Sequence, residues 1–403
     1  VAVLGNDLAL VSVNTSESFT DTGGTLVVVD INQRSIVAEL DLGGQPDAIA
    51  ISPDEQYAAV AIENERDEEL CVGGTESGAP VPEDGPEEPG DITEDACEAG
   101  GGAVGVIPQT AGSPLDTNGN LANPAGYLAI VDLAGDPGNW SVRSVELTGL
   151  AGFAPSDPEP EFVDINDMNR VAISLQENNH LVIVDLPTGA VTSDFPLGTV
   201  DLFGVDATED GIISLTENLF GVPREPDAIA WVNGRVATAN EGDLFGGSRG
   251  FSLFGTDGSL DFDTGSSFEE LAVSIGHYPE ERSENKGSEP EAIEYGEFRG
   301  RQKLFVGSER GSVIGVYGID RSGRPRFEQA LAGPLGPDGL LAIPGRNLLV
   351  VSGEEDDPSF GVRSSIMIYE YGRGKAVYPQ LSSKRDVFGK PIGFSAMSGM
   401  VAG

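Results

Sequence analysis

Five glutamates stand at matching points along this chain. Glu63, Glu177, Glu241, Glu309 and Glu354 each follow a short apolar run, 15 to 19 residues after Pro46, Pro160, Pro226, Pro290 and Pro337. A second acid follows each proline directly: Asp47, Glu161, Asp227, Glu291 and Asp338. Carboxylates at repeated positions are hard oxygen donors of the kind calcium takes, six to eight at a time. Were they to converge, charges about 8 Å apart would repel by ~2 kcal/mol per pair at an effective dielectric near 20. Such a cluster needs cations, arginine partners or bound protons. The candidate metal set is therefore Glu63, Glu177, Glu241, Asp243, Glu309 and Glu354, with Arg310 and Arg224 as candidate internal counter-charges. A carboxylate at a strand end also caps turns and accepts backbone N–H groups, and for each glutamate both roles stay open.

A second oxygen-rich stretch, "TDGSLDFDTGSSFEE", offers Asp257, Asp261, Asp263 and Glu269 or Glu270, and "DATEDG" offers Asp206, Glu209 and Asp210. The first lacks EF-hand spacing, and a solvated turn is the simpler reading of each. Metal-assisted phosphate chemistry would further need cations beside the metal, for which Arg282, Lys286 and Arg310 are placed. No nucleophilic constellation exists: G-x-S-x-G is absent, zinc spacing is absent, and there are two histidines. His180 opens an apolar strand as an edge residue, and His277 lies in a polar loop. No catalytic residue is assigned.

The elements that carry these acids repeat as well. After each proline comes an apolar strand ("AIAIS", "AIAWV"), a turn, and a second strand ("YAAVAI", "RVAISL", "RVATA", "KLFVG", "NLLVVS") that ends in the glutamate. Third strands ("YLAIVDL", "HLVIVDL", "GFSLFG", "SVIGVYGID", "SIMIYEY") and weaker fourth ones ("WSVRSVEL", "AVTSDFPL", "LAVSIG", "PRFEQAL", "KAVYPQL") complete each unit. Four antiparallel strands per repeat predict an all-β chain, a β-propeller of four-stranded blades. Residues 1 to 43 supply three strands and no innermost one, so the first blade is expected to be incomplete. Six or seven blades follow, depending on whether the terminal "GFSAMSGMVAG" or a preceding blade closes the propeller. The expected organisation is a propeller over 1–385, an acidic insertion over 66–125, and a closing strand or a further domain over 386–403.

Composition narrows the function classes. A chain of 403 residues with 55 glycines and 26 prolines is long enough for a sizeable core and rich in turns. Its formal charge of -43 excludes a nucleic-acid footprint and unaided docking on an anionic membrane. The same charge favours divalent cations as partners, and fits either a saline exterior or a compositional bias. No apolar run is long enough to span a bilayer, so direct membrane insertion is not expected. Cys71 and Cys97 bracket one Gly/Pro/Glu-rich insertion, where a disulfide would stabilise by ~3 kcal/mol and would place the chain outside a reducing compartment: extracellular, at the cell surface, or in a periplasm. The first residue is not methionine, as expected of a processed or partial chain.

The stretches "EPEFVDINDMNRVAISLQENNHLVIVDLPTGAVTSDFPLG", "EPDAIAWVNGRVATANEGD", "LDFDTGSSFEEL" and "NKGSEPEAIEYGEFRGRQKLFVGSERGSVIGVYGID" resemble the choice-of-anchor I domain family. The resemblance runs from about residue 8 to 379 and implies a secreted β-propeller, often labelled alkaline phosphatase-like. The cysteine-bracketed insertion and the missing first blade depart from that pattern. The closing "GKPIGFSAMSGMVAG" is similar to the opening strand of a phytase-like (esterase-like phytase) domain. Three functions are then compatible with the chain. The leading one is a non-catalytic extracellular binding or structural module stabilised by calcium or another divalent cation, with other extracellular proteins or a fused phytase-like domain as partners. The others are a calcium-dependent phosphoesterase and a subunit of a surface layer or filament.

Overall fold

A computed structural model describes residues 1–19, 21–65, 71–72, 103–104, 124–242, 244, 247–359, 361–373 and 380–395. Alternating Val/Ile/Leu runs bounded by Gly, Pro, Asn and Asp become short antiparallel strands, and the fold is an all-β propeller. The first blade contains β1 (Ala2–Leu4), β2 (Leu8–Asn14), β3 (Gly24–Asp30) and β4 (Ser35–Asp41), hydrogen-bonded in that order. It is not short of a strand. The three residues of β1 pair Ala2 with Leu10 and Leu4 with Leu8, too brief a run to stand out in the sequence.

The second blade pairs β5 (Pro46–Ile51), β6 (Tyr57–Ile62), β9 (Tyr127–Asp132) and β10 (Ser141–Glu146). Between β6 and β9 the ribbon β7 (Cys71–Val72) and β8 (Ala103–Val104) interrupts the repeat. The expected Cys71–Cys97 bridge lies outside the described residues. The third blade is β11 (Pro160–Ile165), β12 (Arg170–Leu175), β13 (His180–Asp185) and β14 (Ala190–Pro196). A hairpin of β15 (Thr199–Val205) and β16 (Glu217–Pro223), not foreseen from the sequence, precedes the fourth blade.

That blade is β17 (Ile229–Val232), β18 (Arg235–Asn240), β19 (Gly250–Gly255) and β20 (Leu260–Asp263). The fifth is β21 (Ile293–Phe298), β22 (Arg301–Ser308), β23 (Val313–Ile319) and β24 (Pro325–Ala332). The sixth has three strands among the described residues: β25 (Pro337–Ile343), β26 (Leu348–Gly353) and β27 (Ser365–Glu370). Its expected fourth strand, "KAVYPQL", lies almost wholly outside the described residues, as does the end of the closing "GFSAMSGMVAG". Six blades are therefore counted.

One strand assignment was wrong. "LAVSIG" is not the fourth strand of its blade, because β20 takes that place and Ser267–Ile275 forms a helix, α1. Phe268, Ala272 and Val273 are buried at helical spacing, Glu269 and Glu270 occupy the positive first turn, and Gly276 caps the end in the left-handed region at φ 74°. A six-residue apolar run could not separate that helix from a strand.

The chain divides into two compact units, Val1–Asn178 with Ile183–Asp194, and Asn179–Val182 with Phe195–Gly403. In the first, β5 packs against β2 and β11; Leu10, Leu26, Val28, Val60, Ile62 and Val131 form a core. In the second, β21 packs between β17 and β25, and Phe298, Phe305, Ile314 and Val351 form one of the cores. Fully burying each such side chain contributes about 1.5–3 kcal/mol. The close approach of neighbouring first strands is what brings their ends, and the acids on them, together.

Candidate functional site

The proline-acid repeat has a local cause. β5, β11 and β25 each start at the proline, where a missing N–H does no harm. The register then slips by one residue between Pro46 and Ile49, Pro160 and Val163, and Pro337 and Leu340. Asp47, Glu161 and Asp338 therefore sit in β-bulges, which bend a strand and re-aim its side chains. The far end of the repeat is closed by a recurring hydrogen bond, from Glu63 N to Gln45 O, Glu309 N to Glu289 O and Glu354 N to Gly336 O, at 3.0, 3.0 and 2.9 Å. That bond sets the near-constant spacing from proline to glutamate.

In the second unit these two positions meet. Carboxylate oxygens of Glu291, Glu309 and Glu354 all lie within 4.8 Å of one another. Glu309 is buried, Glu291 half-buried and Glu354 exposed, so the group opens on one side. Glu291 Oε2 is shielded from solvent and accepts no hydrogen bond. Burial pushes the Glu291 carboxyl up to about 11, and the neighbouring charges of Asp227, Glu241, Glu309 and Asp338 add to the effect. Burial likewise pushes Glu309 up to about 8, against the opposing pull of the Arg310 guanidinium. Two positive groups answer these acids. Arg310 Nε lies 3.1 Å from Glu309 and 2.9 Å from Glu289, and Lys286 Nζ lies 3.9 Å from Glu241.

Sequence reasoning chose the glutamate that closes each repeat and overlooked the glutamate that stands before three of the prolines. Glu159, Glu225 and Glu289 are all buried. Glu289 is held between Arg282 at 2.7 Å and Arg310 at 2.9 Å. Glu225 and Glu289 adopt φ of 43° and 41°, a left-handed backbone that strains a residue with a side chain, and Gly336 takes the same place at 56°. The repeated "EP" dipeptide was a readable signal for these residues. Glu291 was readable too, in the acid after the proline, although the candidate metal set took the strand-end glutamates and Asp243 in its place.

The remaining candidates are dispersed. Glu63 and Glu177 follow β6 and β12 in the first unit, where Gln45 Nε2 donates to Glu65 at 3.0 Å and faces Glu63 at 3.5 Å. Buried Asn64 and Asn178 accept the backbone N–H of Gln45 and Glu159 at 2.9 and 3.1 Å, which explains the "EN" that follows both strands. Asp243 lies outside the described residues. Arg224 does not face the acid cluster: it pairs with Asp263 at 2.8 Å and donates to Leu197 O and Thr199 O. Asp261 faces Arg235 at 3.6 Å, and exposed Asp257 accepts from Ser259. Asp257, Asp261 and Asp263 thus look to three different partners and gather no ligand set among the described residues. Asp206 is buried and accepts from Ser214 N at 2.8 Å. Asp210 N donates to Glu280 at 2.8 Å.

Arg282 and Arg310 converge on Glu289, whereas Lys286 faces Glu241. His180 is buried at the start of an inner strand of its sheet, not at an edge, and His277 Nδ1 lies 2.7 Å from Gly311 O. No helix among the described residues is long and apolar enough to cross a membrane.

No curated protein sequence matches the chain. Several solved structures are similar to it. A functionally unknown protein from Desulfotomaculum acetoxidans is 12% identical, over 92% of this chain and 80% of that one, with a TM-score of 0.46. A protein of unknown function from Bacteroides caccae is 10% identical over 89% and 90%, with a TM-score of 0.41. The β-propeller domain of the Trilobed protease from Pyrococcus furiosus is 10% identical over 94% and 96%, with a TM-score of 0.35. Likenesses of that degree assign no activity. The model of the choice-of-anchor I domain matches residues 141–246 and 244–322, which include the third and fourth blades and most of the fifth.

Proposed function

We propose that this chain is an extracellular, cell-surface β-propeller module that binds a divalent cation of the calcium class and carries out no catalysis. The observation that carries the reading is the meeting of Glu291, Glu309 and Glu354 within 4.8 Å, with Asp227, Glu241 and Asp338 adding their charge. The donor set is all oxygen and opens to solvent, which suits a hard cation that fills its remaining positions with water. A bound cation would neutralise a group that otherwise keeps protons on Glu291 and Glu309. The match to the choice-of-anchor I domain supports the placement outside the cell. The cations that a phosphoesterase would turn to phosphate, Arg282, Lys286 and Arg310, each face carboxylates, which favours the cation-binding reading. Isothermal titration with calcium and with magnesium, on protein first treated with chelator, tests the reading. Saturable calcium binding that weakens at least tenfold in Glu309→Gln and in Glu291→Gln is expected. Absence of binding heat at millimolar calcium, together with an unchanged melting temperature, would overturn it.

A further inference from the structure

Two stretches of the chain read N-x-[ST]: Asn14-Thr15-Ser16 and Asn139-Trp140-Ser141. We propose that Asn14, and to a lesser extent Asn139, accept an N-linked glycan during export. The proposal rests on the extracellular reading above. The motif is the acceptor that oligosaccharide transferases read at the outer face of a membrane. In the transfer, Asn Nδ2 attacks the anomeric carbon of a sugar carried on a polyprenyl phosphate or pyrophosphate. The Nδ2–C1 bond forms, the C1–O bond to phosphate breaks, the lipid phosphate leaves with the electron pair, and Nδ2 loses one of its two protons.

Both asparagines are exposed, so a bulky polar chain attached at either displaces nothing from the core. Asn14 ends β2 and pairs with Gly24 across the neck of the loop that leads to β3. Its Oδ1 accepts the Ser16 N–H at 2.9 Å, which turns the oxygen back onto the chain and leaves the amide nitrogen as the outer end of the side chain.

The two sites differ in what a transferase must undo. Around Asn14 it must release the Ser16 hydroxyl, which accepts from Gly23 N at 3.1 Å and donates to Gly23 O at 3.3 Å, and the Thr15 N to Gly23 O bond at 2.9 Å. Around Asn139 it must also draw Trp140 out of the core. That ring is buried, and its Nε1 donates to Gly135 O at 3.3 Å. Asp136 caps the 3₁₀ turn Pro137–Asn139, and Ser141 is already the first residue of β10. The geometry therefore ranks Asn14 above Asn139.

The test is peptide mass spectrometry on the protein purified from the cells that naturally make it, with surface location scored by protease shaving of intact cells. The expected result is a glycan mass on the Asn14 peptide at higher occupancy than on the Asn139 peptide. Ser16→Ala and Asn14→Gln should each abolish the first and leave the second. A surface-located protein whose Asn14 peptide is wholly bare overturns this inference alone. A protein found only inside the cell overturns the extracellular reading, and this inference with it.

Discussion

Exchanging Glu291 for glutamine tests the acid cluster most directly. At 4.8 Å, two ionised carboxylates repel by about 3 kcal/mol at an effective dielectric near 20. Full ionisation of Glu291, Glu309 and Glu354 would thus cost more than many domains can spare. The fold answers by keeping protons on, with Glu309 raised to about 8 and Glu291 to about 11, where burial is the larger cause in both. Between pH 5 and 8 the folded chain then holds protons that the unfolded chain has released. Stability falls as pH rises through that window, by ~1.4 kcal/mol per pH unit for each carboxyl concerned.

Melting temperatures in chelator should fall from pH 5 to 8, and Glu309→Gln should flatten the slope relative to the unmodified chain. At pH 7 without metal, Glu291→Gln should raise stability by up to about 3 kcal/mol, because glutamine mimics the neutral carboxyl and removes the cost of holding its proton above the unfolded pKa. With calcium present the unmodified chain should gain stability, and gain more at pH 8 than at pH 6, since protons must leave for the cation to bind. Glu291→Gln should lose most of that gain: a missing interaction of about 3 kcal/mol corresponds to roughly a hundredfold in affinity. The experiment is differential scanning calorimetry across pH with calcium or chelator. A chelator profile that rises from pH 5 to 8, with Glu291→Gln responding to calcium like the parent, would refute the reasoning.

Arg249→Met should cost about 3 kcal/mol or more by urea denaturation. Arg249 and Glu269 form an ion pair at 3.1 Å with side chains 1% exposed, and removal of the arginine strands a buried carboxyl; a loss below about 1 kcal/mol would contradict this. Gly126→Ala should cost about 2 kcal/mol or more, because its Cβ would lie 2.4–2.5 Å from Pro158 O, Glu63 O and Pro160 Cδ; an unchanged denaturation midpoint would show that the backbone yields. Arg310→Gln should move the titration of Glu309 above about 8, since the guanidinium opposes the upward shift. Carboxyl carbon NMR across pH reads this directly, and an unmoved midpoint would refute it.

Much of the fold was legible because its signals are local. A proline followed by an acid, two residues of bulge and an apolar strand repeat within about twenty residues, and each repeat forms the same pair of strands. Where the signal was short or two-valued, reading failed. Three residues were enough for β1, and "LAVSIG" suited a strand as well as the helix it forms. The repeated "EP" marked the glutamates before the prolines, but neither composition nor spacing shows which of the two acids flanking a proline points inward.

By itself, the sequence determined the strand grammar, the turn positions and the excess of negative charge, all properties of neighbouring residues. Only the tertiary structure decided that Glu291, Glu309 and Glu354, from two blades, share one point, while Asp257, Asp261 and Asp263, a few residues apart, do not. Arg310 meets Glu309 and Glu289, whereas Arg224 turns to Asp263. Electrostatic energy depends on separation and burial, and both are set by how β17, β21 and β25 pack side by side, not by position along the chain.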